Sequence, residues 1–114
     1  MCSQDGQWGL TQSFIKSADY IKAAEAWLAR HRAKTVFCLV QFKGVDIDAL
    51  PRVYLATPTE IAQRLKESAN GRGDTILYER KVWGPRATGF GTTDAIPPSW
   101  VLSEARADSI LGKA

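Results

Sequence analysis

A glutamine and a lysine two positions apart, Gln41 and Lys43, are the first residues in this sequence whose spacing could carry out chemistry. They end the most apolar run of the chain, VFCLVQFK, which spans residues 36–43. Residues two apart on a strand project from the same face. An acid or a glutamine paired in this way with a lysine is half of a nuclease metal site, in which an Asp on a neighbouring strand helps to hold Mg²⁺ and the lysine activates the attacking water.

The strand-borne Asp that such a site needs is missing. Upstream of Gln41 the acids are Asp5, Asp19 and Glu25, and the last two belong to a predicted helix that faces away from a site carried on strands. The sequence therefore predicts no metal-dependent nuclease activity. The pair is better interpreted as the polar end of a buried strand.

A second acid–lysine pattern lies further along the chain, where Glu79 and Lys81 are again two apart and Asp74 precedes them. The stretch between Asp74 and Glu79 is too short for the paired strands that such a site uses, and an ion pair on an exposed sheet face explains the charges equally well. His31, the single histidine, and two separated cysteines cannot form a zinc site. We predict no catalytic residue, no metal ligand and no cofactor.

Two groups of residues remain as candidate surfaces. Trp83, Phe90 and Trp100 flank a long loop rich in Gly and Pro, and such aromatic residues are either ligand walls and interface anchors or the cover of a small core. Candidate nucleic-acid contacts are Lys43, Arg72, Arg80, Lys81 and Arg86. The net charge of +3 permits nucleic-acid binding without demanding it, because dedicated binders carry a dense basic cluster.

The elements that position these residues follow from periodicity and capping signals. Apolar residues at helical spacing predict a helix over 18–32, capped by Ser17. The continuous apolar run predicts a central strand over 36–42, joined to an antiparallel strand over 52–56 by a loop of about eight residues.

The clearest local signal is a second helix start. Thr57 and Glu60 form a capping box with Pro58 at the first helical position, and Asn70-Gly71 ends the helix because both residues tolerate the left-handed conformation.

The rest of the chain predicts a third strand over 75–83, a loop over 84–98 and a last helix over 104–111, capped by Ser103. One face of the third strand carries Ile76, Tyr78 and Val82. The expected fold class is α+β, with a small mixed or antiparallel sheet of three to four strands and helices packed mainly on one face. A chain of 114 residues is long enough for one domain with one core.

Composition narrows the class of protein further. Hydrophobic residues make up 45% of the chain and charged residues 24%, which is typical of a globular domain. No apolar run reaches the ~20 residues that a membrane span needs. The N-terminus shows no signal-peptide pattern, and Cys2 and Cys38 are placed as reduced thiols, so we expect a cytoplasmic protein without a membrane partner.

The stretch TVFCLVQFKGVDIDALPRVYLATPTEIAQRL resembles the C-terminal half of bacterial restriction-endonuclease-like (PD-(D/E)XK) domains. Residues 36–43 match a strand of the type Tyr-Val-Phe-Val-Asp-Leu-Lys, and residues 53–61 match a short strand that enters a Pro-Ser/Thr-x-Glu-Val helix. The segment CSQDGQWGLTQSF is similar to the part of that family just after its catalytic lysine. The resemblance covers residues 2–65. It implies that the catalytic half would lie before Met1, as in a short protein carried by a mobile gene cassette.

We therefore expect a non-enzymatic module that binds a protein or a ligand. We also expect a homodimer, formed through a sheet edge or the aromatic loop region, because a truncated sheet leaves an open edge and exposed edges tend to be paired. One alternative is a nucleic-acid-binding protein that uses the basic residues at a sheet edge. The other is a small-ligand-binding protein or enzyme with its pocket at the 83–100 loop. The small net charge favours the aromatic surface slightly over the basic one.

Overall fold

The computed structural model describes residues 1–10, 19–31, 35–85 and 91–111. In chain order their elements are β1 (Cys2–Ser3), β2 (Gln7–Gly9), α1 (Tyr20–Ala29), β3 (Phe37–Gln41), β4 (Arg52–Ala56), α2 (Pro58–Gly71), β5 (Ile76–Tyr78), β6 (Arg80–Trp83), β7 (Thr92–Ala95), a 3₁₀ turn (Pro98–Trp100) and α3 (Glu104–Ile110). The predicted α+β class is confirmed. The described strands form one three-stranded mixed sheet and two pairs rather than a single sheet.

Strand β3 is central in the three-stranded sheet, as its continuous apolar sequence predicts. The order is β1-β3-β4, with β1 parallel and β4 antiparallel to β3. The register pairs Leu39 with Tyr54 and Gln41 with Arg52, so these four side chains lie on one face of the sheet. That face is the buried one, because Leu39 and Gln41 are fully inaccessible to solvent.

Helix α2 begins as its sequence predicts. The Thr57 hydroxyl accepts a hydrogen bond from the Glu60 N–H at 3.2 Å, and the Glu60 carboxylate accepts one from the Thr57 N–H at 2.9 Å. Its last turn is irregular, because Ala69 and Asn70 both have positive φ angles before Gly71. Helix α1 is capped by Asp19, which accepts from the Lys22 N–H; the predicted cap, Ser17, lies outside the described residues.

The single strand predicted over 75–83 is wrong, because the chain changes sheets at Glu79. The Glu79 N–H donates to the Gly6 carbonyl at 2.9 Å, and the Glu79 carbonyl accepts from the Ile96 N–H at 3.0 Å. Strand β5 therefore pairs with β2 and strand β6 with β7. The predicted face of Ile76, Tyr78 and Val82 is divided between the two strand pairs, because Ile76 and Tyr78 lie on β5 and Val82 lies on β6.

The predicted loop over 84–98 contains a strand that the sequence analysis missed. Strand β7 has the polar sequence TTDA, which shows no apolar alternation. It completes a two-stranded sheet with β6. The last helix, α3, is capped by Ser103 as predicted.

One hydrophobic core joins the helices to the sheets. Helix α1 packs against α2, and α2 contacts β5 and β7. The largest side chains of the core are Trp8, Trp27, Leu39, Tyr54, Ile61, Leu65, Leu77, Ile96 and Trp100. Within the described ranges, no helix has the length and apolar content needed to cross a bilayer. Cys2 and Cys38 are both free thiols on the surface.

Candidate ligand-binding cleft beside strand β4

An open apolar cleft of about 430 Å³ runs along the outer edge of β4. Its walls are residues 50–54 on one side and Val101 and Leu102 on the other. The apolar side chains are accessible, since Leu50 is 91% exposed and Val101 and Leu102 are each 48% exposed. Neighbouring exposed apolar side chains of this kind mark interaction or ligand sites on soluble proteins.

The backbone fixes the far wall of the cleft. Trp100, at the end of the 3₁₀ turn, is buried in the core. Val101 then forms an antiparallel bridge with Tyr54, and the Leu102 N–H donates to the Val53 carbonyl at 2.9 Å. These contacts hold the 101–102 segment along the edge of β4, so the cleft is formed before any ligand arrives.

Helix α3 holds the same edge further along the strand. The Arg106 guanidinium donates two hydrogen bonds to the Leu55 carbonyl, at 3.1 and 2.8 Å, and one to the Glu60 carboxylate at 2.6 Å. Burial raises the pKa of Glu60, but the hydrogen bonds from the Thr57 backbone and from Arg106 outweigh it and leave the pKa below its usual value. The edge of β4 is thus covered by the chain itself.

Three polar side chains meet at one end of the cleft. Arg52 donates from Nε and Nη2 to the two carboxylate oxygens of Glu79 at 2.7 and 2.9 Å, and Nη2 also donates to the Lys43 carbonyl at 2.8 Å. The Tyr54 hydroxyl donates to the same Glu79 carboxylate at 2.5 Å. The bidentate geometry fixes the plane of the guanidinium group.

The charges of this cluster are stable near neutral pH. Burial by itself raises the pKa of Glu79, but the hydrogen bonds from Arg52 and Tyr54 and the positive charges of Arg52 and Lys43 hold it below its usual value. Burial and then the hydrogen bond to Glu79 raise the pKa of Tyr54 to about 12. The hydrogen bond to Glu79 also raises the pKa of Arg52. Glu79 is therefore an anion, Tyr54 is neutral and Arg52 is a cation.

In the Gln41–Lys43 pattern, Gln41 has a structural role. The Gln41 Oε1 atom accepts hydrogen bonds from the backbone N–H groups of Gly6 and Lys43, both at 3.1 Å. The stem of Lys43 lies across Gly6, where an added Cβ would stand 3.1 Å from the lysine Cδ atom. Among the described residues, no group of three or more His, Cys, Asp or Glu side chains could hold a metal ion.

Two of the aromatic residues proposed from the sequence, Trp83 and Trp100, border separate depressions. Trp83 borders a depression of about 170 Å³ with Tyr20 and Arg72, and its Nε1 donates to the Asp94 carboxylate at 2.6 Å. Trp100 is buried and borders a depression of about 340 Å³ beside α2. Phe90 lies outside the described residues.

The basic residues proposed from the sequence are also divided. The positive charge of Lys43 lowers the pKa of Glu79, whereas Arg72 borders the depression beside Trp83. Arg80 is exposed on β6, and Arg86 lies outside the described residues. The Lys81 ammonium group lies over the rings of Tyr78 and Trp83, 5.5 and 5.3 Å from their centroids.

The cleft was not predicted from the sequence, because it joins residues 50–54 to residues 101 and 102, which are distant in the chain. A signal was nevertheless present. Leu50 follows two acids and precedes Pro51, and Val101-Leu102 follows two prolines, so apolar side chains stand where polar turn residues are the norm.

Comparisons of the chain with protein-family models, with curated proteins and with solved structures find no match. The resemblance of residues 2–65 to restriction-endonuclease-like domains therefore remains a prediction.

Proposed function

We propose that the protein is a non-enzymatic binding module that holds an apolar ligand in the cleft beside β4. The observation that carries this proposal is a preformed apolar cleft whose far wall is fixed by backbone bonds from Val101 and Leu102 to β4. Its volume of about 430 Å³ lies within the range of roughly 300–1,000 Å³ that ligand pockets occupy.

The polar cluster at the end of the cleft supports binding rather than acid–base catalysis. A general base or acid works best with a pKa near the operating pH. The pKa of Glu79 lies below its usual value and that of Tyr54 is raised to about 12, so each is poorly matched to proton transfer near neutral pH. A fixed cation at the end of an apolar cleft is suited to orienting a ligand.

A neutral polarity-sensitive dye, Nile red, tests this proposal by fluorescence titration. We expect saturable binding to the wild type and weaker binding to Leu102→Ser. Burying a leucine fully contributes about 1.5–3 kcal/mol, so the half-exposed Leu102 should contribute about 1 kcal/mol, or a roughly fivefold change in affinity.

The matched control for this titration is Leu111→Ser, because Leu111 is 52% exposed at the end of α3 and does not line the cleft. It should bind the dye as the wild type does. Absence of saturable binding, or equal losses in the two variants, would contradict the proposal.

The homodimer expected from the sequence remains part of this proposal. The 101–102 segment covers the edge of β4, and among the described strands none pairs with the outer edge of β1. We propose β1 as the sheet edge at which the two chains pair. Light scattering at high micromolar concentration should give the mass of two chains, and the mass of one chain would count against it. We also propose a cytoplasmic location, where the exposed thiols of Cys2 and Cys38 would stay reduced.

A further inference from the structure

The guanidinium group of Arg52 has unused donors at the cleft. Arginine carries five N–H donors. The N–H on Nε and both N–H groups on Nη2 are used by Glu79 and the Lys43 carbonyl, which leaves the two on Nη1 without a partner among the described residues. Arg52 lines the cleft, and its side chain is 43% exposed. The side chain of Arg52 is therefore partly open to solvent where it borders the cleft.

The position of these donors is set in advance. Glu79 holds one edge of the guanidinium in a bidentate pair, and the Lys43 carbonyl holds the next N–H. When a ligand binds Nη1, the side chain of Arg52 therefore loses little conformational entropy. The contact is more favourable than one to a free surface arginine for that reason.

The local charge selects an anion of low charge. Arg52 and Lys43 contribute two positive charges and Glu79 contributes one negative charge, so the cluster has an excess of one positive charge. A singly charged carboxylate matches that excess. A phosphate group carries nearly two negative charges and would be repelled by the neighbouring Glu79.

We propose that the ligand of this cleft is a small monocarboxylic acid with an apolar tail. The inference rests on the function proposed above. The carboxylate accepts from Nη1 of Arg52, and the tail lies against Leu50, Val101 and Leu102. The cleft of about 430 Å³ is near the lower end of the range of ligand pockets, so it suits a medium-length alkyl or arylalkyl chain.

Displacement of Nile red by two ligands of equal length, octanoate and octanamide, tests this inference near neutral pH and below the concentration at which octanoate forms micelles. A charge-assisted hydrogen bond is about twice as strong as a neutral one. We therefore expect octanoate to displace the dye from the wild type at about a tenfold lower concentration than octanamide.

The variants are chosen so that they keep the fold. Arg52→Gln combined with Glu79→Gln removes the cation together with the anion that it neutralises, so no charge is left unpaired. Arg52→Lys keeps a cation beside Glu79 but removes the Nη1 donors. We expect the double variant to bind both ligands equally and Arg52→Lys to lose most of the preference. Lys22→Gln, which removes an exposed cation on α1, should keep the full preference.

The possible results separate the two proposals. Equal displacement by both ligands from the wild type would overturn the carboxylate inference and leave the apolar cleft standing. A preference for octanoate that survives in the double variant would also overturn it, because the carboxylate would then bind elsewhere. Failure of the dye and of both ligands to bind would overturn the function itself.

Discussion

Asp94 joins three parts of the fold through one buried carboxylate, and its removal should be among the most damaging single changes. Its Oδ1 atom accepts from Arg64 Nη2 at 2.8 Å. Its Oδ2 atom accepts from the Ala69 N–H at 2.8 Å and from Trp83 Nε1 at 2.6 Å. The carboxylate thus ties the irregular end of α2 to β6 and β7.

The expected loss of unfolding free energy for Asp94→Ala follows from the three hydrogen-bond donors that lose their acceptor. The Ala69 N–H is buried, and an unsatisfied buried donor costs about 1–3 kcal/mol. The side chain of Arg64 is 19% exposed, so water can hydrate its guanidinium group once Asp94 is removed. Loss of this ion pair therefore costs about 1 kcal/mol after solvent screening. The partly exposed Trp83 indole loses about 1 kcal/mol. The sum is about 3–5 kcal/mol, a large part of a stability of about 5–15 kcal/mol.

Urea unfolding followed by circular dichroism measures this loss. With a slope of about 1–2 kcal/mol per molar urea, the midpoint for Asp94→Ala should fall by about 1.5 M or more. Trp83→Phe removes one of the three donors and should cost about 1 kcal/mol. Asp48→Asn, an exposed control, should stay within about 0.5 kcal/mol of the wild type. A loss of less than about 1 kcal/mol for Asp94→Ala, or an equal loss for Trp83→Phe, would contradict this role of the Asp94 carboxylate.

Four further predictions concern pH, capping and nucleic acid. The pKa of Glu79 is lower in the folded state, so ionised Glu79 stabilises the fold above the usual glutamate pKa of 4.5. This stabilisation is lost as pH falls through the lowered value. Urea midpoints measured from neutral to acidic pH should therefore fall less steeply for Glu79→Gln than for the wild type. Thr57→Ala should cost about 1 kcal/mol in urea unfolding by removing the cap of α2, and an unchanged midpoint would rule out that role. Fluorescence anisotropy with a short labelled DNA should show no micromolar binding at moderate salt; binding that is lost when Arg80 and Lys81 are both changed to Gln would support the basic surface instead. Plasmid DNA should stay intact with Mg²⁺ or Mn²⁺, whereas cleavage abolished by Lys43→Ala or by Lys81→Ala would contradict the prediction of no nuclease activity.

The features that the sequence predicted correctly depend on neighbouring residues. The capping box of α2 needs only Thr57, Pro58 and Glu60, which are consecutive or nearly so, and the structure confirms it. The bounds of β4 and the central position of β3 also follow from short runs of β-branched and aromatic residues. Each of these predictions required no knowledge of distant contacts.

The features that sequence reasoning missed depend on residues far apart in the chain. The break at Glu79 arises from hydrogen bonds to Gly6 and Ile96, which lie on opposite sides of it in sequence. The cleft needs Leu102 beside Val53, and the Asp94 cluster joins residues 64, 69 and 83. No local pattern encodes these pairings, because β7 is polar and the apolar 101–102 segment is too short to show the alternation of a strand.

The most direct test of the binding function is a ¹⁵N–¹H NMR titration with octanamide, a neutral ligand that tests the apolar cleft without the carboxylate. We expect saturable shifts of the backbone amides of Val53, Tyr54 and Leu102, which border the cleft, and no shift at Leu111. Shifts confined to the region of Trp83, or an absence of saturable shifts, would contradict the proposed cleft.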